Sequence, residues 1–320
     1  MIGIDVGGAN LKIVDDDGVH IHYCPLYEGA PLTHMLQQYV GKKPGQAAVV
    51  MSGELADCFL NKMQGIRFIT GAVQGVFPNA LFYGTDARFH ARAVRQLAAA
   101  NWLASADYLR EQYPGAVLVD VGSTTTDIIP LSRFESLLGL SDLLRLQRGY
   151  LLYTGMLRTT IPAVLRTVRI DGIETPVSSE FFATSADAHL VLWHIGTRDY
   201  SCDTPDKKGK TKAAALRRLA RVVCSDLAEI KKKNAEGIAA QFWDKQRTLI
   251  CSQVESVIKA SGSSSVITAG IGSQLFAREL GGTDLASELG HASDALPAFA
   301  VRDVALRRNR LAKSKMLSRR

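Results

Sequence analysis

Two short stretches of this 320-residue chain place an acid, glycines and small polar residues at the end of an apolar run. The first, IGIDVGGANLK, puts Asp5 before Gly7 and Gly8, then Asn10 and Lys12. The second, VLVDVGSTTTDII, puts Asp120 before Gly122, Ser123, Thr124 and Thr125. Glycine-containing turns between strands aim backbone N–H groups into one concavity, which suits phosphate oxygens. Asn10 and the three hydroxyl residues add neutral donors, and Lys12 adds a cation. Asp5 and Asp120 repel phosphate directly, but as ligands of Mg²⁺ they complete a phosphate site, because magnesium takes few carboxylates plus phosphate oxygens. Either turn alone also occurs in ordinary hairpins. The pair, opening two halves of one chain, points to two phosphate loops facing one cleft.

Other residues stand where such a cleft needs chemistry. Glu54 follows an apolar run and a glycine, where a carboxylate serves either as a general base or as a first-turn helix cap. Asp120 is the second candidate base. Asp86 and Arg88 in YGTDAR, and Tyr153 and Arg158 in LLYTGMLRT, are candidate substrate contacts. Local capping is the alternative for Asp86, and plain packing for Tyr153 and Arg158. His20 and His22 share a strand face without a third ligand, so a solvent-side pair is expected. Lys207, Lys208 and Lys210 read as a solvated, mobile loop over 203–212 rather than a clamp. Cys24, Cys58, Cys202, Cys224 and Cys251 lack any C-x-x-C spacing, so free thiols are expected.

The elements that position these residues follow from pattern. Strands are expected over 1–7, 47–51, 66–70, 116–121, 127–131 and 265–269. Asp15-Asp16-Asp17-Gly18 predicts a hairpin between 11–14 and 19–23. Helical spacing covers 32–40, 212–233 and 235–260, and alanine richness extends a long helix over 87–113. Pro114-Gly115 closes the first half, so lobes of 1–114 and 115–320 are expected, with an internal repeat of about 115 residues.

Composition narrows the class. A chain that is 47% hydrophobic and 22% charged is globular. No apolar run approaches the roughly 18–20 residues that span a bilayer, and no leader pattern opens the chain, so a cytoplasmic protein is expected. The net charge of +7 is carried by eight basic residues and one acid within 302–320, leaving the rest neutral. That reads as a solvated basic terminus, and no nucleic-acid partner is expected.

IGIDVGGANLK and LVDVGSTTTDI resemble the two phosphate loops of the actin, sugar-kinase and Hsp70 superfamily, and VITAGIGSQLF resembles its adenosine segment. That resemblance implies an α/β, two-lobed, duplicated ribonuclease-H-like fold with an interlobe cleft. Six further phrases, SGELADCF, GVFPNALFYGTDARF, AAANWLASA, GSTTTDIIP, LLYTGMLRT and the GAN of the first loop, are together similar to the methanofuran-core synthase family of one-carbon metabolism. The likeness is thinnest across 178–212, where ATSADAHLVLWHIGT stands. It implies an aryl-ether-forming transferase: the phenol of a tyramine- or tyrosine-derived acceptor displaces diphosphate from an aminomethyl-furanmethyl diphosphate. Mg²⁺ is then the expected cofactor and ATP is not a substrate. Gly270 and Gly272 are structural or bind the furan end. An ATP-dependent small-molecule kinase and a nucleotide-gated assembly protein are the competing classes, and a homo-oligomer is left open.

Overall fold

A computed structural model describes residues 1–40 and 46–317 of the chain. The first sheet is built from β1 (Ile2–Val6), β2 (Asn10–Val14), β3 (Val19–Tyr23), β4 (Ala47–Met51), β5 (Leu81–Tyr83) and β6 (Phe89–His90), in the order β3-β2-β1-β4-β5-β6. The second uses β7 (Ala116–Val121), β8 (Thr126–Pro130), β9 (Leu151–Leu152), β12 (Ser265–Ala269) and β13 (Thr283–Asp284), in the order β13-β12-β7-β8-β9. A separate hairpin pairs β10 (Thr167–Ile170) with β11 (Ile173–Pro176). Each main sheet is an antiparallel three-strand meander whose first strand also pairs in parallel with a later strand. The duplication expected from two openings therefore runs through both sheets. The result is a mixed α/β structure of two sheets that open with the same topology.

Continuous apolar strands result because both faces of each sheet are covered. Along β4, Ala47, Val49 and Met51 enter one core, while Ala48 and Val50 enter another. Along β7, Val117, Val119 and Val121 face one core, and Ala116 and Leu118 the other. The core shared by both sheets is filled by the helices Asn101–Leu109 and Leu296–Leu317, through Trp102, Leu103, Val301 and Val304. Pro114-Gly115 does precede the second sheet. The last helix nevertheless returns to lie against β1 and β4, so the lobes are sewn together by the end of the chain.

That return changes the reading of the basic tail. Arg302 donates to the Met1 carbonyl (2.7 Å) and pairs with Asp16. Arg307 pairs with Glu111, and Arg308 with Asp107 at 2.7 Å. Three of the tail's eight basic residues are thus bound to acids of the first lobe rather than solvated. Arg319 and Arg320 lie outside the described residues.

Three further elements differ from expectation. The run 66–70 is no strand; it lies inside the helix Lys62–Val76, with Ile66, Ile69, Thr70, Val73 and Val76 buried at helical spacing. A five-residue apolar run does not separate a strand from a buried helix segment. The stretch 87–113 is helical chiefly over Asn101–Leu109. Ala87 and Ala99 adopt left-handed φ of 54° and 46°, which stops a helix despite the alanines. The helical run after 212 is also broken, into Lys212–Arg221 and Leu227–Ser261, the latter kinked where Lys231 turns to a φ of 64°.

The seam of the lobes depends on close approach at Gly3, where an added Cβ would lie 2.1 Å from the Ala298 carbonyl and 2.8 Å from Arg302 Cβ. Gly3→Ala is expected to cost about 1–3 kcal/mol in urea unfolding, as overpacking does. An unchanged midpoint would show that the last helix is not pressed on β1.

Candidate active site

The repeat is closest where the two loops are built. Asp5 stands opposite Lys12 in the β1–β2 register, and Asp120 stands opposite Asp127 in the β7–β8 register. The turn between is closed identically, Gly7 N–H donating to the Asn10 carbonyl and Gly122 N–H to the Thr125 carbonyl, each at 2.9 Å. The N–H groups of Gly8, Ser123 and Thr124 find no acceptor among the described residues, which leaves them for a ligand. The loops are braced from outside. Gly53 packs on Gly7, whose carbonyl oxygen lies 2.7 Å from where a Gly53 Cβ would stand, and Gly155 packs as tightly on Gly122 and Thr124.

Negative charge accumulates at the seam between the loops. Asp5 is 5% exposed and its Oδ1 is without a hydrogen-bond partner. Burial pushes its pKa up to about 6, opposed by Lys12 and reinforced by Asp127. Burial likewise pushes Asp120 up to about 7, with Asp127 adding most among its neighbours, Lys12 opposing, and Asp5 and Asp294 contributing. Asp5 and Asp120 are thus near enough to sense one another. Asp127 is raised by burial but held by Arg145, which also pairs with Asp142 at 2.8 Å and stacks on the Trp102 ring. Lys12 Nζ donates to the Asp294 carbonyl at 2.7 Å. Among the described residues no group of three or more His, Cys, Asp or Glu is arranged to hold a metal. An orphaned buried carboxylate oxygen beside a second raised carboxyl does fit a cation that takes its remaining ligands from phosphate.

Glu54 follows Gly53, the residue packed on the first loop. Ser52 and Gly53 N–H both donate to the Val6 carbonyl at 3.0 Å, which turns the chain so that Glu54 is only 1% exposed. Its Oε2 is unpartnered. Burial lifts its pKa to about 7, against the pull of its own backbone N–H and of Lys62. It caps no helix: the next one starts at Lys62, and Asn61 caps it by accepting from Gln64 N–H at 3.0 Å. The cap reading therefore does not hold.

The remaining expected residues divide. Gly270, at φ 79°, lies against Asp120, whose Oδ1 is 2.4 Å from the position of an added Cβ, and Gly272 N–H donates to the Val121 carbonyl at 3.0 Å. Both lie tightly against β7. Asp86 accepts from Arg88 N–H (3.2 Å) and pairs with His90 (3.1 Å), so its contacts are local, and Arg88 is exposed. Tyr153 is 71% exposed. Arg158 reaches the other lobe, its guanidinium 5.3 Å from the Tyr27 ring centroid. His20 and His22 pack around Tyr39 as a half-buried pair. The loop 203–212 is tied down by Asp206, which pairs with the buried Arg218 at 3.1 Å, and by Lys210 over Tyr200. All five cysteines are free.

Asp127, Arg145, Asp294 and Gly155 were not singled out from sequence. Asp127 had a signal: it stands as far beyond Asp120 as Lys12 does beyond Asp5.

With this geometry in place, kinship is informative. The hydantoinase/oxoprolinase family model matches residues 46–307. The (4-{4-[2-(gamma-L-glutamylamino)ethyl]phenoxymethyl}furan-2-yl)methanamine synthase of Methanocaldococcus jannaschii is 34% identical over 287 residues, covering 86% of this chain and 87% of its own. The chain belongs to that synthase family, within the hydantoinase/oxoprolinases. The synthase of the same name from Methanococcus vannielii is 39% identical over 159 residues, 50% of this chain and 72% of its own. Among solved structures, a nucleotide-free acetone carboxylase aligns over 87% of this chain and 46% of its own, with 13% identity and a TM-score of 0.48. A glucokinase from Streptomyces griseus aligns over 95% of this chain and 99% of its own, with 14% identity and a TM-score of 0.40. Among the described residues no helix is long and apolar enough to cross a membrane.

The raised Glu54 carboxyl makes a stability prediction. Unfolded, it ionises near 4.5; folded, near 7. The folded chain keeps a proton that the unfolded chain has released, so this contribution is whole below the unfolded value and is lost as pH rises through about 7. Glu54→Gln removes the loss. The stability difference between variant and parent in urea should move in the variant's favour by on the order of 2 kcal/mol from pH 5 to pH 8. A difference independent of pH would place Glu54 in water.

Proposed function

We propose that this chain is an aryl-ether-forming transferase of methanofuran-type biosynthesis, in which a phenolic acceptor displaces diphosphate from an aminomethyl-furanmethyl diphosphate. The observation that carries this is the relative 34% identical across 86% of the chain, whose name describes a phenoxymethyl-furan product. Such a name denotes an ether joining a phenol oxygen to a furan methylene.

The reaction breaks the furfuryl C–O bond, and the diphosphate departs with its electron pair. The phenol oxygen bonds to the methylene carbon and its proton passes to a base. The residues support each part. Gly8, Ser123 and Thr124 would bind the diphosphate through backbone N–H groups and Asn10, Ser123, Thr124 and Thr125 through side-chain donors, with Gly7 and Gly122 closing the turns that aim them. Lys12 would meet charge that grows as the bond breaks. Mg²⁺ held by Asp5 and Asp120 would neutralise the same leaving group. The burial that raises Asp5 and Asp120 favours such a cation, since it would pair the orphaned Asp5 Oδ1 and offset the desolvation of both carboxyls.

Glu54 would take the phenol proton. A phenol ionises near 10, and a carboxylate that titrates near 7 is a stronger base than an ordinary one near 4.5. Activity should accordingly rise with pH through about 7, as Glu54 loses its proton.

The kinase alternative uses the same loops to move a phosphoryl group. Incubating the protein with ATP and, separately, with the furan diphosphate separates the two. Acceptor-dependent ADP release would establish the kinase; acceptor-dependent diphosphate release would establish the synthase. In the latter assay Lys12→Ala should lower kcat about 10²–10³-fold with a small change in KM. Glu54→Gln should lose activity at neutral pH and regain part of it as pH approaches the phenol's own pKa, or with a more acidic phenol. Full activity of Glu54→Gln at neutral pH would move the base to Asp120.

A further inference from the structure

One contact joins segments rooted on the two loops. On one side, Met156 N–H donates to the Gly122 carbonyl (3.0 Å), and the N–H groups of Leu157 and Arg158 both donate to the Ser123 carbonyl (2.9 and 3.0 Å). Arg158 is therefore rooted on the second loop. On the other side, Cys24 N–H donates to the Ala9 carbonyl (2.8 Å) and Leu26 N–H to the Gly8 carbonyl (3.1 Å), which roots Tyr27 on the first loop. The Tyr27 hydroxyl meets that of Tyr23 at 3.2 Å, fixing the ring. Between these roots the Arg158 guanidinium stacks on the Tyr27 ring, 5.3 Å from its centroid. Both side chains are half-buried, and among the described residues Arg158 has no carboxylate partner.

A guanidinium without a counter-ion, rooted next to loop N–H groups that also lack acceptors, is a cation waiting for an anion. Its planar fork suits two phosphate oxygens at once, and such charge-assisted pairs exceed a ring-face contact in strength. The ring holds the side chain extended over the cleft at little cost in strength, so that it can turn to a ligand below. We propose that Arg158 grips the diphosphate from above and that Tyr27 is its positioning residue, the two together closing the phosphate site that the loops floor. Arg158 then belongs to the leaving-group side of the site rather than framing the acceptor. This inference rests on the diphosphate reading above.

Binding of inorganic diphosphate, by calorimetry on the full chain, tests it apart from catalysis. Arg158→Ala should weaken binding about tenfold or more, and Arg158→Lys less, since it keeps charge but loses the fork. Tyr27→Phe keeps the ring face and should bind within about twofold of the parent, while Tyr27→Leu should weaken binding about threefold to tenfold. In the double variant Arg158→Ala with Tyr27→Leu, the second change should add nothing, because the ring acts only through the arginine. Additive losses, or Tyr27→Phe as weak as Tyr27→Leu, would overturn the proposal. So would parent-like binding by Arg158→Ala, a surface truncation that leaves the folded core intact. Diphosphate binding with this dependence in a protein that forms no ether would refute the synthase and leave the grip standing. Ether formation with Tyr27→Leu unaffected would do the reverse.

Discussion

Buried negative charge at the seam between two copies of one strand–turn–strand unit governs this structure. Asp5, Asp120 and Asp127 lie within reach of one another's fields, with Lys12 and Arg145 as the nearby cations. Each carboxyl is pushed above its ordinary range mainly by loss of water. Such an arrangement is unfavourable in the empty protein and favourable once a cation and an anion with many oxygens enter together. The architecture around it follows. Both sheets are covered on two faces, so their strand ends are rigid. The last helix ties the lobes at Gly3, so the two loops are held in one frame.

Duplication supplies two identical cradles, and divergence makes them different. Lys12 faces Asp5 across the β1–β2 pair, and at the same register of the second unit Asp127 faces Asp120. One loop therefore offers a cation to the ligand. The other draws in a cation of its own, Arg145, which Trp102 supports from the shared core. The asymmetry gives the two loops different donors, with Lys12 on the first and hydroxyls on the second.

The loops were legible in the sequence because a strand end, a glycine turn and a polar strand are local features, and because they occur twice. The hairpin at Asp15–Gly18 and the strand leading to Gly270 were legible for the same reason. Less local features were hidden. Residues 66–70 were read as a strand because five apolar residues look alike in either state, and only the buried spacing out to Val76 marks a helix. The alanines of 87–113 suggested a long helix, but two of them take left-handed backbone that only the surrounding fold imposes. The tail looked solvated since its acidic partners, Asp16, Asp107 and Glu111, lie some two hundred residues or more away in the chain. That Glu54 caps no helix could not be read locally, since Asn61, seven residues later, caps the next one. Arg145 and Gly155 act on the loops from later segments, and no short-range pattern announces them.

The central claim is that these loops bind a leaving group rather than a group in transfer, and bond cleavage decides it. A furan diphosphate carrying ¹⁸O at the bridging position between methylene and phosphorus can be turned over with a phenolic acceptor and both products analysed by mass spectrometry. Cleavage of the C–O bond sends the label out with diphosphate and leaves the ether unlabelled, which is the result this account predicts. Label retained on the furan alcohol would mean that the P–O bond had broken, and the site would then be one for phosphoryl transfer.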